Sequence, residues 1–424
     1  MDRRFIPLFM IVFVDLVGFG IVIPVLLLHA EESFGATDLQ ATGLLTAFSI
    51  GMVIAGPILG RLSDAYGRRP VLIVSQIGTF IGFIVLGLAN SLFLLYLGRI
   101  IDGISGGNIT TARAYINDIT TEENRARGFG LISAAFGAGF IVGPALGGLA
   151  VTVTAGIPSL AAYSQNAPFF VAAFFSLASI LGTYFILPES LDPEARQPLG
   201  ERSKERDGDL GLLDVLKEEK MRTILSFTFV TFLAFSLFQS SFPIFARRRL
   251  FSDLSLEMAQ RNIGLVLTLF GLTNVIMQSF FVGPLVRRFG EQRLIVYATF
   301  GRIIAFLGAA LTLNAYVFAA FAAPLAIGNA VSQPSLQSIM SRFAPPKLRG
   351  RVLGLFQSTN SLTLVFGPIV AGFLLSADFP SLSSESAAAL PMFAAAALVT
   401  IAFFMSFRIL NLELPTQEAA PEEA

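Results

Sequence analysis

Long apolar stretches separated by short polar ones recur along the whole chain. A membrane-crossing α-helix needs about 20 mostly apolar residues. Twelve stretches qualify: residues 6–28, 42–60, 71–89, 92–114, 128–152, 168–187, 223–245, 262–283, 293–313, 316–338, 350–376 and 390–408. One long polar segment, 188–222, interrupts the rhythm, reading PESLDP and then a mixed-charge run. The pattern predicts an all-α membrane protein with twelve transmembrane helices in two pseudo-symmetric six-helix bundles. The bundles are assigned to residues 1–187 and 223–410, with a linker at 188–222 and a tail at 411–424. Within the linker, residues 210–221 have the pattern of a short interfacial helix.

Positive charge orients this arrangement. Of 29 Lys and Arg residues, three fall inside spans (Arg99, Arg113, Arg302) and four on one side (Arg247, Arg248, Arg249, Arg261), leaving 22 on the side of the N-terminus, linker and C-terminus. The excess of positive charge on cytoplasmic loops predicts a multi-pass protein of the cell (inner) membrane with both termini in the cytoplasm. The external Arg247–Arg249 cluster runs against that rule, and the sequence offers no account of it.

The two halves repeat one another. RARGFGLISAAFGAGFIVGPALGG at 125–148 aligns with RGRVLGLFQSTNSLTLVFGPIVAG at 349–372, so that Arg125 meets Arg349 and Gly143-Pro144 meets Gly367-Pro368, a shift of 224. GRLSDAYGRRPVL at 60–72 resembles GPLVRRFGEQRLI at 283–295, a shift of 223. Two separate stretches agree within one residue, which implies a duplication of six helices. A duplicated fold meeting at a central cleft is the usual plan of secondary transporters.

Composition narrows the chemistry. The chain is 54% hydrophobic and 14% charged, against about 25% charged for soluble domains, and its mean hydropathy is +0.72. Net charge is zero, so no global field points to nucleic acid. Without Cys, and with His29 as the lone His, disulfides, thiolate chemistry and His- or Cys-based metal sites are not expected. No nucleophile–base constellation or nucleotide-binding loop is visible, so neither an enzyme nor a cofactor is expected. The first apolar run is read as a helix that stays rather than a cleaved signal.

The sharpest local signal is Gly60-Arg-Leu-Ser-Asp64-Ala-Tyr-Gly67-Arg68-Arg69-Pro70, between the second and third spans. Gly60 and Gly67 are read as permitting a tight turn. Asp64 lies among Arg61, Arg68 and Arg69, where it can pair with an arginine and face the positive end of a helix, latching one conformation. In the fifth span, Gly139, Gly143 and Gly147 recur every four residues and present a smooth face for a close neighbour. Pro144 favours a bend there, and Gly148 ends the run.

These segments resemble the major facilitator superfamily, and within it the twelve-helix drug:proton antiporters of the tetracycline-efflux branch. The 60–70 loop is similar to that superfamily's signature loop, the 139–148 segment to the antiporter motif, DLVGFGIVIP at 15–24 to the first-helix motif of drug exporters, and Arg99-x-x-x-Gly103 to a fourth-helix motif whose arginine the family links to proton transfer. The resemblance implies that Asp118 pairs with Arg68 or Arg69. Three departures stand out. Phe83 is where those exporters carry a third-helix aspartate, Arg302 or a neighbour is where they carry a ninth-helix acid, and their second-half histidine is missing.

Each Asp, Lys or Arg at a helix centre costs about 2.5–3.5 kcal/mol on insertion scales, so each needs a reason. Asp15 is a proton or cation site, or else a partner for a buried arginine. Arg99 and Asp102, three residues apart, share a helix face and are read as a proton-coupling pair or a neutral structural one. Arg113 either snorkels or meets an anionic group, and Arg302 requires a partner. Asp15, Arg113, Gln239, Asn274, Gln278, Asn329, Gln333, Gln357 and Asn360 are the candidate lining of a substrate cavity, since polar groups at membrane depth usually face the interior.

The favoured expectation is a monomeric transporter in the lipid bilayer that exports small amphipathic or drug-like molecules in exchange for protons, by alternating access. One alternative is uptake or facilitated transfer of an anionic metabolite through Arg113 and Arg302. Another is a non-transporting sensor or scaffold.

Overall fold

The computed structural model describes residues 5–196, 217–344, 348–377 and 383–413. The first half comprises α1 (Phe5–Phe34), α2 (Asp38–Tyr66), α3 (Arg68–Gly87), α4 (Leu92–Ser105), α5 (Asn108–Ile119), α6 (Glu122–Ala155) and α7 (Ala167–Ile186). The second comprises α8 (Glu219–Phe245), α9 (Leu256–Ile276), α10 (Val282–Phe289), α11 (Glu291–Leu311), α12 (Ala315–Phe343), α13 (Arg349–Leu375), a single turn α14 (Ser384–Ala387) and α15 (Leu390–Leu410). Two π-helical segments, Ala246–Leu250 and Met277–Phe281, continue α8 and join α9 to α10.

Eleven helices among the described residues are long and apolar enough to cross a membrane. The twelfth crossing is the fourth, and there the expectation of one helix over 92–114 needs correction. The chain breaks at Gly106-Gly107 into α4 and α5. Two consecutive glycines weaken a helix, and α2 comes so close that a β-carbon on Gly107 would lie 2.9 Å from the Gly56 nitrogen. The interfacial helix expected at 210–221 lies, over 210–216, outside the described residues, while Met221 belongs to α8. Most of the linker and the tail beyond residue 413 also lie outside them.

Packing repeats with the sequence. α1 packs on α6 and α7, and α3 on α4 and α7; six crossings later, α8 packs on α13 and α15, and α11 on α12 and α15. The halves meet along α6–α9 and α2–α13, two seams equivalent under the same repeat. Much of this contact is backbone against backbone. A β-carbon on Gly148 would lie 2.6 Å from Arg261 Cα, one on Gly271 3.0 Å from the Phe140 carbonyl, and one on Gly372 2.9 Å from Leu39 Cα. Without side chains between them, the helices reach a closeness that larger residues forbid. Large apolar side chains such as Phe174, Phe185 and Phe404 point outward, as a lipid-facing surface requires.

Candidate functional site

The α2–α3 turn is built around Arg68. Its Nη1 donates to Asp64 Oδ1 at 2.5 Å and to Ser63 Oγ at 2.7 Å, and its Nε donates to Asp118 Oδ2 at 2.9 Å. Arg68 is therefore the partner of Asp118. Arg69 instead donates to the Thr183 and Tyr184 carbonyls and lies over the Tyr184 ring. Gly67 has φ +103°, which favours glycine, and a β-carbon there would lie 2.6 Å from Glu189 Oε2. Gly60 does not contribute to the turn, contrary to expectation. It lies inside α2, which continues to Tyr66 because its 3.6-residue register is uninterrupted, and open space surrounds it.

Glu189, within the polar linker by sequence, accepts from the backbone N–H of Arg68 at 2.9 Å and of Arg69 at 3.1 Å. A carboxylate at the start of α3 satisfies orphan donors and meets the positive end of the helix. The second half repeats this corner with charges exchanged. Gly290, 223 residues after Gly67, has φ +78°. Arg287, Glu291 and Arg342 occupy the positions of Asp64, Arg68 and Asp118, and Arg342 Nη2 lies 3.3 Å from Glu291 Oε1.

Deeper in the first half, Arg99 Nη1 donates to Asp102 Oδ2 at 2.6 Å, with both side chains almost completely buried. The guanidinium lies 4.1 Å from the centre of the Phe48 ring, a cation–π contact strengthened by the absence of water. Asp15, on α1, accepts from Asn108 Nδ2 at 3.2 Å through Oδ2, while its buried Oδ1 has no partner among the described residues. Asn108 is the first residue of α5, so the Gly106-Gly107 break sets the amide that Asp15 uses.

The glycine stripe of α6 packs on α1. A β-carbon on Gly139 would lie 2.7 Å from Leu16 Cβ, and one on Gly143 2.6 Å from Gly20 Cα; Gly147 faces the Ile21 carbonyl. Gly148 faces the other way, toward Arg261 on α9, while Pro144 turns its ring to Gly20 on α1 and its carbonyl to Gly264 on α9.

At mid-depth a cavity of about 150 Å³ is lined by Gln239, Asn329, Gln333 and Asn360 together with Phe140, Phe232, Phe235, Ser236, Thr363 and Leu364. Four of the nine proposed cavity residues therefore converge. The other five do not line it. Asn274 donates to the Ala326 carbonyl at 3.3 Å, bridging α9 and α12. Gln278 is exposed on the π-helical segment and Gln357 is half-buried on α13. Asp15 and Arg113 belong to α1 and α5 of the opposite half. The residue type signals membrane-depth polarity, but which face of the helix it occupies decides where it points.

The Arg247–Arg249 cluster finds its reason in the fold. Arg248 Nη1 donates to Asp38 Oδ2 at 3.0 Å, its Nη2 contacts Asp38 Oδ1, and Glu31 lies 3.6 Å from Nη2. Arg247 donates to the Phe251, Ser252 and Leu254 carbonyls and lies 3.8 Å from Glu32, while Arg249 donates to the Glu385 carbonyl. Nearby, Leu39 N–H donates to Ser376 Oγ, and Gln260 donates to Gln165 Oε1 at 2.8 Å. Each of the Arg248, Leu39 and Gln260 bonds joins one half to the other at the face opposite the start of α1.

A family profile described as Major Facilitator Superfamily matches residues 8–260 and again 224–424. The chain belongs to the Major Facilitator Superfamily. The double match reflects the duplicated architecture, and it makes the protein a multi-pass membrane transporter of small molecules rather than an enzyme. It is 31% identical over 370 residues to the class C tetracycline resistance protein of Escherichia coli, covering 86% of this chain and 87% of that one. It is 29% identical over 384 residues to multidrug resistance protein 2 of Bacillus subtilis (strain 168), covering 87% and 88%. The fold matches the nucleoside transporter NupG with a TM-score of 0.75 at 12% identity over 97% of this chain and 100% of that one. It also matches the human organic anion transporter MFSD10 with a TM-score of 0.66 at 24% identity over 95% and 99%.

Proposed function

We propose that this major facilitator transporter exports small amphipathic, drug-like molecules in exchange for protons. The observation that carries the reading is the first-half carboxylate cluster. Asp15 has one oxygen held by Asn108 and one unsatisfied, in the same half as the neutralised Arg99–Asp102 pair. An unsatisfied carboxylate at membrane depth is costly, and taking up a proton relieves that cost. Asp15 is the proton carrier in this reading, with Asp102 held by Arg99 as the second carboxylate. The aromatic and amide cavity, lined by the second half and by Phe140 of α6, receives the apolar body of the substrate. Its drug-resistance relatives from Escherichia coli and Bacillus subtilis support export as the direction.

The halves rock about this centre in alternating access. The Arg68 corner stiffens the first half, and the Arg248–Asp38 pair holds one face closed. In this reading the protein works as a monomer in the cell (inner) membrane with both termini in the cytoplasm, an orientation that its Lys and Arg distribution supports. Proton release from purified protein in weakly buffered detergent tests the reading. A panel of cationic dyes, neutral antibiotics and organic anions is added in turn. Release on addition of one compound, absent in Asp15→Asn, is expected; binding without proton release would rule out antiport through Asp15.

A further inference from the structure

Two cations within the spans, Arg113 and Arg302, have no role in that reading, and Arg113 is only half-buried. Arg302, on α11, is 1% exposed. Its Nη2 donates to the Thr231 carbonyl at 3.1 Å and the guanidinium lies 6.0 Å from the centre of the Phe306 ring, whereas Nε and Nη1 are buried without hydrogen-bond partners among the described residues. Arg99, by contrast, has its own carboxylate at 2.6 Å.

The second half cannot supply Arg302 with a carboxylate. No Asp or Glu occurs between Glu219 and Asp253, between Glu257 and Glu291, or between Glu291 and Asp378. Glu219 and Glu291 open α8 and α11, and Glu257 sits in the first turn of α9. Under the repeat, Asp102 corresponds to Leu325 or Ala326, and Arg302 to Thr79. The duplication has therefore placed a cation where the first half has a hydroxyl, and an apolar residue where it has the countercharge. A buried guanidinium without an anion is costly. Its planar fork suits a carboxylate or another oxyanion.

The position is adjacent to the cavity. Thr231, which binds the guanidinium, precedes Phe232 in the cavity wall. The Arg302 stem fills the space at Gly328, where a β-carbon would meet Cγ and Cδ at 2.5 Å, and Gly328 precedes Asn329 in the same wall. Arg302 thus lies one residue behind the lining at two points, with its Nη2 donor at Thr231 and its aliphatic stem at Gly328. We propose that Arg302 receives the anionic group of the transported molecule, so that the exported amphiphile is an organic anion whose apolar body lies against Phe140, Phe232 and Phe235. The inference rests on the export reading and names its substrate class.

The test uses the full purified chain and three probes sharing one apolar body: 1-naphthaleneacetate, its methyl ester and 1-naphthylmethylamine. Equilibrium binding and melting are measured for wild type, Arg302→Met and Arg302→Lys. The carboxylate is expected to bind wild type about tenfold more tightly than the other two, and Arg302→Met is expected to lose about tenfold for the carboxylate alone. Arg302→Lys retains a cation and most of the binding. Arg302→Met is expected to melt no lower than wild type, because it removes an unpaired buried charge; Arg302→Lys carries the test if it does. Unchanged carboxylate binding in Arg302→Met, a preference for the amine, or binding of none of the three overturns the inference. So does a defect in Arg302→Gln that Asp15→Asn cures, since the cation would then serve the protein's own carboxylate. Uptake into acid-loaded everted vesicles separates the two readings. Proton-driven movement of the ester or amine without the carboxylate leaves export standing and removes the anion. Arg302-dependent carboxylate movement indifferent to the proton gradient keeps the anion and removes the antiport.

Discussion

Arg342 contacts Glu291 at 3.3 Å in the positions that Asp118 and Arg68 occupy one repeat earlier, with the signs exchanged. Asp64, the third member of the first corner, is likewise matched by Arg287. The duplication has kept the corner and reversed its polarity. Arg68→Glu would place three carboxylates together and is expected to destabilise the protein by about 3 kcal/mol or more. The triple change Asp64→Arg, Arg68→Glu, Asp118→Arg copies the second-half charges and is expected to recover most of that loss. Melting in detergent, followed by fluorescence-detected size exclusion, checks both.

The Arg248–Asp38 pair predicts a shift in conformation rather than a loss of fold. Asp38→Asn and Arg248→Gln are each expected to weaken closure of that face, with a coupling energy of about 1.5 kcal/mol or more in the double-mutant cycle. The chain has no Cys, so spin labels placed only at Gly156→Cys and Leu313→Cys report the separation of the halves there. The distance distribution is expected to broaden to longer values in each variant. An unchanged distribution would mean the pair does not hold the face.

The two glycines of the α2–α3 segment should respond in opposite ways. Gly60 is helical, and a β-carbon added there would meet nothing within 4 Å, so Gly60→Ala is expected to stabilise by about 0.5–1 kcal/mol. Gly67 combines φ +103° with the Glu189 carboxylate, so Gly67→Ala is expected to cost about 1–3 kcal/mol. Thermal melting of the two variants side by side decides the matter.

At the Arg99–Asp102 pair, removal of one partner leaves the other charge buried. Arg99→Met is expected to cost about 3–5 kcal/mol, and Arg99→Met with Asp102→Leu to cost less than the single change. Denaturant midpoints of the three proteins measure the difference. If the double variant were the worst, the pair would be contributing more than mutual neutralisation.

The repeat was legible in the sequence because its anchors are residue types that geometry demands: Gly67 and Gly290 both adopt positive φ, and Pro144 and Pro368 both lie within helices. The choice of Arg68 over Arg69 was not legible, since neighbouring positions on a helix point about 100° apart and only the packed neighbours decide. The Arg247–Arg249 cluster looked anomalous because Asp38 lies 210 residues away from Arg248, beyond any local pattern. The break at Gly106-Gly107 was hidden by a hydropathy pattern that averages over a span. Among the cavity candidates, Asn329 and Asn360 line it and Asn274 instead binds a carbonyl, a difference of helix face that polarity alone does not encode.

The glycines along the α6–α9 and α2–α13 seams bear on speed. Interlocked side chains must unpack before two helices can tilt, which raises the barrier between arrangements. Here Gly148 meets the Arg261 backbone and Gly372 meets the Leu39 backbone and the small Thr42 side chain, so fewer large side chains interlock at these points. Under the proposed rocking, these positions would act as a low-friction bearing that sets how often the transporter turns over, while the charged pairs at its face would set which way it rests.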